Sequence, residues 1–149
     1  MYHENIVNEL LEWIEQRLED SLNLQLISER SGYSKWYLQR LFKKHTGLAL
    51  ATYIRKRRMT MAANQLRGST DSILDITIKY QFGSQATFTR VFKRHFNVTP
   101  AAYRKSCGLS EPSLQPMLFI NKEITGSLSY DMKNKRDSAM LVLNNSIGN

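Results

Sequence analysis

One cysteine, Cys107, three prolines and three histidines are all that the 149 residues hold of these types. A single thiol cannot close an internal disulfide, so a disulfide-stapled secreted scaffold is excluded. Three His and one Cys are too few for a structural zinc site without scattered carboxylates. Long apolar runs are missing as well: none approaches the ~18 residues that a bilayer span takes. The start, MYHENIVNELLEWIE, is acidic where a secretory signal is basic and then apolar. These features point to a cytoplasmic protein. No Gly-rich phosphate loop, nucleophile elbow, metal-spaced His/Cys set or paired carboxylates in an apolar setting occurs, so no enzyme, catalytic residue, metal or cofactor is expected.

What is present is ordinary in amount and unusual in arrangement. Hydrophobic residues at 42% and charged residues at 23% are those of a globular chain, long enough for one domain or two very small ones. The net charge of +8 is unevenly spread. Residues 1–29 carry seven acids against Arg17 alone; residues 30–110 carry sixteen Lys and Arg against Asp71 and Asp75; residues 111–149 are balanced at four of each sign. No Asp or Glu occurs between Arg30 and Thr70, so this basicity has no sequence neighbour to neutralise it. A polyanion is the natural partner.

The periodicity is helical. Ile6, Leu10, Leu11, Trp13, Ile14 and Leu18 recur at steps of three and four, predicting a helix from about Asn5 to Leu18. Leu24, Leu26 and Ile27 follow, closing at Ser31-Gly32. Ser34 can cap a helix from Lys35 to about His45, ended by Thr46-Gly47. A longer helix without Gly or Pro runs from Leu50 to Leu66 and stops at Gly68-Ser69. No strand pattern competes before residue 106.

The chain then repeats itself at an offset of fifty residues. Aligning 24–55 on 74–105 pairs Leu24 with Leu74, Ser34 with Ser84, Arg40 with Arg90, Phe42 with Phe92, Lys43 with Lys93, His45 with His95, Ala51 with Ala101 and Tyr53 with Tyr103, without a gap. In the second copy Asp71 or Ser72 opens a helix at Ile73, Gly83 bends the chain, Ser84 caps, and Thr99-Pro100 starts another helix. Each copy is a helix, a glycine turn and a second helix, the form of a helix-turn-helix.

The second helix of each copy has two faces. Leu38, Leu41, Phe42 and His45, and correspondingly Phe88, Val91, Phe92 and His95, share the apolar side. Trp36, Gln39, Arg40, Lys43 and Lys44, and Gln85, Ala86, Thr89, Arg90 and Lys93, share the other. Arg pairs bidentately with guanine, Gln with adenine, and Thr or Trp offers apolar contact, so these faces suit a major groove. A merely solvated face explains one such helix alone; two copies in an acid-free background favour nucleic acid.

The stretches GYSKWYLQRLFKKHTG from Gly32 and FGSQATFTRVFKRHFNVTPAAYRK from Phe82 resemble the two helix-turn-helix units of the AraC family of transcription regulators, in particular its short MarA-, SoxS- and Rob-type activators. The likeness covers roughly residues 5–106, with Ser84, Phe88, Arg90, Phe92, Lys93, Thr99, Pro100, Tyr103 and Arg104 in register with the family signature. The resemblance implies that Trp36, Gln39 and Arg40, and Gln85, Thr87, Thr89 and Arg90, contact DNA. Ala86 departs from the usual second Gln, and Asn97 from the usual Gly, although Asn tolerates the left-handed conformation. By family analogy RNA polymerase is a candidate partner of the acidic first helix; a solvent face averse to DNA accounts for its glutamates equally well.

The expected fold is all-α, with a helix-turn-helix subdomain over 1–49, a linker helix over 50–68, a second such subdomain over 69–106 and a tail over 107–149. The tail, richer in Gly, Pro, Asn and Ser, is expected to pack loosely, a strand hairpin or partner-binding motif being the alternatives. A separate small-molecule effector domain is not expected. Arg55, Lys56, Arg57 and Arg58 on the strut are candidate phosphate contacts, Met59 and Met61 candidate core, and His45 and His95 packing or phosphate groups rather than ligands. The function this implies is a monomeric activator on an asymmetric double-stranded promoter site. Its rivals are a non-specific architectural or RNA-binding protein and an enzyme acting on nucleic acid.

Overall fold

The computed structural model describes residues 2–106, 115, 117–120, 129–131 and 140–144. Seven helices fill the first part: α1 (Tyr2–Glu15), α2 (Leu24–Ser31), α3 (Lys35–Thr46), α4 (Leu50–Gly68), α5 (Ile73–Lys79), α6 (Gln85–Phe96) and α7 (Pro100–Lys105). Side-chain oxygens begin most of them. Asn23, Ser34, Ser72, Ser84 and Thr99 accept from the backbone N–H of Leu26, Tyr37, Asp75, Thr87 and Ala102, at 2.8–3.2 Å. Each bond satisfies one donor that a helix N-terminus would otherwise leave unpaired. The first helix lies three residues earlier than its periodicity suggests, with residues 16–19 forming a turn that still buries Leu18.

The fifty-residue repeat is a structural one. Residues 35–46 and 85–96 form α3 and α6 in equivalent positions, and residues 50 and 100 open α4 and α7. Gly47 and Asn97 end α3 and α6 in the left-handed region at φ 76° and 62°. Asn replaces Gly there because its short amide is among the few side chains that tolerate positive φ.

Two cores form, and α4 feeds both. Leu50, Tyr53 and Ile54 join Val7, Leu11, Ile14, Ile27, Leu38 and Phe42 in the first. Met59, Ala62, Ala63 and Leu66 join Ile76, Tyr80, Phe88, Phe92 and Tyr103 in the second. A helix that serves two cores needs apolar residues on different sides along its length, which is why α4 has no single apolar stripe. Met59 is buried and Met61 half-buried, as expected of core residues.

The tail is more than a loose appendage. Strands β1 (Met117–Ile120), β2 (Ser129–Asp131) and β3 (Met140–Asn144) form a small sheet in which β3 is central, parallel to β1 and antiparallel to β2. Strand β1 lies against α1, and Leu118 is fully buried in the first core. The Leu118 N–H donates to Tyr53 Oη at 3.2 Å, and the Gln115 N–H donates to Thr60 Oγ1 at 2.7 Å. Residues 2–106 are helical throughout their secondary structure, as expected, and the sheet lies in the segment where a strand hairpin was the alternative.

This docking explains a residue that sequence pattern misplaces. Arg57 was a candidate phosphate contact, but its side chain is wholly buried. Its Nε donates to Glu15 Oε2 at 3.0 Å, its Nη2 pairs with Glu15 Oε1, and its Nη1 donates to the Gln115 carbonyl at 2.6 Å. A charge removed from water requires such partners.

Candidate nucleic-acid interface

Helices α3 and α6 stand one at each end of α4, which at 1.5 Å per residue is about 28 Å long. Their burial follows the expected division. Leu38, Leu41 and Phe42 are buried in the first, and Phe88 and Phe92 in the second. Trp36, Gln39, Arg40, Lys43 and Lys44 are exposed, as are Gln85, Ala86, Arg90 and Lys93; Thr87 and Thr89 are half-buried. The nine candidate DNA contacts are therefore divided between two helices, four on α3 and five on α6.

The first cluster is partly preorganised. Trp36 is 65% exposed, unusual for so large an apolar side chain, and the Arg40 guanidinium lies 5.2 Å from its ring centroid. Stacking holds the guanidinium without consuming its hydrogen-bond donors, which stay available to an acceptor outside the protein. In the second cluster the Thr87 hydroxyl is 3.0 Å from the capping Ser84 hydroxyl, a bond that orients Thr87 at the start of α6. Among the described residues no carboxylate pairs with Arg40, Lys43, Arg90 or Lys93. The positive potential of both faces is thus left for a polyanion.

Between the two units lies an open cleft of about 400 Å³. Gln39 of α3 and Thr87 of α6 both line it, together with Arg55 of α4. Of the four consecutive basic residues 55–58 on the strut, Arg55 is exposed and Lys56 half-buried, Arg57 is buried, and Arg58 donates to the Leu18 and Asp20 carbonyls at 2.8 and 2.6 Å. Only Arg55 and Lys56 keep the role of candidate phosphate contacts. Four consecutive basic residues look alike in sequence; the three-dimensional position of Glu15 and of the 18–20 carbonyls separates them.

His45 is half-buried, and its Nε2 lies in the interior without a hydrogen-bond partner. Burial holds its pKa below the usual imidazole value, with Glu4 opposing that shift and Lys44 and His3 adding to it. A half-buried ring with its Nε2 turned into the interior suits packing. Among the described residues no group of three or more His, Cys, Asp or Glu is placed to hold a metal, and no helix is long and apolar enough to cross a membrane.

Two capped helices with cationic outer faces, packed on different parts of one long helix, define a tandem helix-turn-helix protein. Comparison with known proteins gives the lineage. A family described as a helix-turn-helix domain matches residues 27–106. The TetD protein of transposon Tn10 from Escherichia coli is 51% identical over 105 residues, 70% of this chain and 76% of that protein. The multiple antibiotic resistance protein MarA of Salmonella typhimurium is 52% identical over 98 residues, 66% of this chain and 77% of that one. Among solved structures, the C-terminal domain of AraT, a response regulator from Geobacillus stearothermophilus, superposes with a TM-score of 0.66 at 28% identity, covering 72% of this chain and 89% of that one. The chain belongs to the AraC family of helix-turn-helix transcription regulators, in its MarA- and Rob-like branch.

Proposed function

We propose that this chain is a cytoplasmic regulator, acting as an activator, that binds an asymmetric double-stranded promoter site as a monomer, with α3 and α6 in successive major grooves. The observation that carries this reading is the pair of exposed, cationic outer faces at the two ends of α4, with no carboxylate among the described residues to neutralise their central cations. Major grooves on one face of straight DNA lie ~34 Å apart, which a strut of about 28 Å with a recognition helix at each end can span. The two faces differ, Trp36 and Gln39 corresponding to Ala86 and Thr89. Two different readers select two different half-sites, so a palindrome is not required.

Trp36, Gln39, Arg40, Gln85, Thr87, Thr89 and Arg90 would read bases, and Lys43 and Lys93, one turn further along, would grip phosphates. The functional division would be a first reader over 1–49, the strut over 50–68 and a second reader over 69–106. The acidic face of α1, with Glu9 and Glu12 exposed, is the surface offered to RNA polymerase. Activation rather than repression rests on the likeness to the short activators.

Selection of bound fragments from a random duplex pool identifies the site; titrations on specific and scrambled duplexes across a salt series then test the roles. Arg40→Ala and Arg90→Ala should each cost about 1–3 kcal/mol on the selected site and relax preference in different halves of it. Lys43→Ala and Lys93→Ala should weaken both duplexes alike and lower the magnitude of the salt slope by about one. Equal losses on scrambled and selected DNA for the arginine variants would instead support a non-specific basic protein.

A further inference from the structure

The two readers do not close on each other across the cleft of about 400 Å³, so something must hold their separation. Helix α4 is one connection. A single helical connection sets a distance along its axis but leaves torsion and bending between the units to soft contacts, and a second attachment off that axis would remove this freedom.

The turn after α1 supplies one. Its three successive carbonyls at residues 18–20 are all taken by side chains from elsewhere. Arg58 of α4 donates from Nε to Leu18 at 2.8 Å and from Nη2 to Asp20 at 2.6 Å. Between them, the Glu19 carbonyl accepts from Gln81 Nε2 of the second unit at 2.8 Å. The Glu19 carboxylate also pairs with Lys79 of the second unit at 3.5 Å. A loop belonging to the first unit is thus gripped at once by the strut and by the second unit.

The repeat departs from itself where this contact is made. Ser31, the counterpart of Gln81, is the last residue of α2, whereas α5 ends at Lys79 and Gln81 sits in the left-handed region at φ 63°. Glutamine is a poor residue for that conformation, where glycine would be free of strain. The side chain is retained at a backbone position that disfavours it, and the bond it makes is the one to Glu19.

We propose that residues 18–20 form a bracket that fixes the distance and angle between the two recognition helices, with Arg58, Lys79 and Gln81 as its positioning residues, so that the bracket sets the half-site spacing the protein accepts. This rests on the two-reader function proposed above. One base pair shifts a half-site by about 3.4 Å and turns it by about 35°, so a rigid bracket makes spacing part of specificity, and a loosened one surrenders it.

The test is a random-duplex selection followed by titration on sites whose half-site spacing is native, one base pair shorter or one longer. It uses the full chain and a Lys79→Ala/Gln81→Gly double variant. The wild type should enrich one spacing and lose about tenfold or more when it changes. The double variant should lose about three- to tenfold on the native spacing, while its spacing penalty shrinks at least fivefold. Arg58→Met should broaden spacing likewise, and Lys79→Arg, which keeps the ion pair, should leave the wild-type profile. Circular dichroism and thermal melting establish that each variant is folded. If the double variant does not fold, Gln81→Gly alone, which relieves the left-handed strain and removes one exposed bond, carries the same comparison. A spacing penalty unchanged in the folded variants overturns the bracket, whatever happens to affinity. A wild type that enriches one half-site with no second motif at fixed distance overturns the two-reader function itself, a distinct result.

Discussion

Two histidines fifty residues apart occupy equivalent places at the ends of α3 and α6, yet their surroundings differ. The His95 ring packs edge-on to Phe96 at 4.6 Å, while His45 turns a bare Nε2 into the interior near α1. Because burial lowers the folded-state pKa of His45, the unfolded chain protonates it first, near the usual ~6.5. Stability should therefore be level above about pH 6.5, fall as the pH drops below it, and flatten again once the folded protein is protonated too. Thermal midpoints measured from pH 8 to pH 5 should show a shallower decline in His45→Gln than in the wild type; superimposable profiles would remove His45 from the pH response. What the sequence made legible at this scale was the exposed and buried division of the recognition helices, because a 3.6-residue period sorts side chains locally. It could not single out Arg57, whose partners lie 42 positions back at Glu15 and 58 positions ahead at Gln115, nor the left-handed Gln81, since neither depends on neighbours in the chain.

Helices were legible at the next scale because their ends are chemically marked. Ser34, Ser84 and Thr99 each cap where expected, and Asn97 adopts the left-handed form that its replacement of glycine calls for. The docking of β1 was not legible. Four residues, Met-Leu-Phe-Ile, are equally a short buried helix or a strand by pattern, and only the groove beside α1 and α4 decides. That docking contributes a fully buried Leu118, the N–H that Tyr53 Oη accepts, and the carbonyl on Arg57. Burial is also the main reason that the Tyr53 phenol is pushed up to about 12. Removing residues 107–149 should accordingly lower the thermal midpoint by about 10 °C, the equivalent of roughly 2 kcal/mol in a domain of this size, and Leu118→Ala should reproduce most of that loss without exceeding it. DNA affinity of the folded truncated chain should stay within a few-fold, since the nine candidate contacts are all carried by α3 and α6, which the truncation leaves in place. An unchanged melting point would mean that the first core does not need the strand.

For the whole molecule the decisive question is how many chains occupy one site. A stable protein–protein interface buries about 800 Å² on each partner, centred on an apolar patch. Among the described residues the exposed large apolar side chains are Tyr2, Leu26, Trp36, Leu74 and Ile78. Leu74 and Ile78 share one face of α5, an i,i+4 pair that is too small for such an interface, and Trp36 belongs to the proposed reading face. No heptad pattern runs along α1 or α4 to supply a coiled coil instead. Charge argues the same way: the cations of residues 30–110 would repel a second copy brought alongside, except where DNA neutralises them. One chain per site is therefore the expected stoichiometry, with binding curves that are non-cooperative in protein concentration. Light scattering of the complex on a duplex carrying the selected site should give the mass of one protein and one duplex. A complex holding two chains, assembled in a single cooperative step on an inverted repeat, would show that each chain contributes one reader to the site, and α4 would then be a dimer's spacer rather than the link between two half-sites.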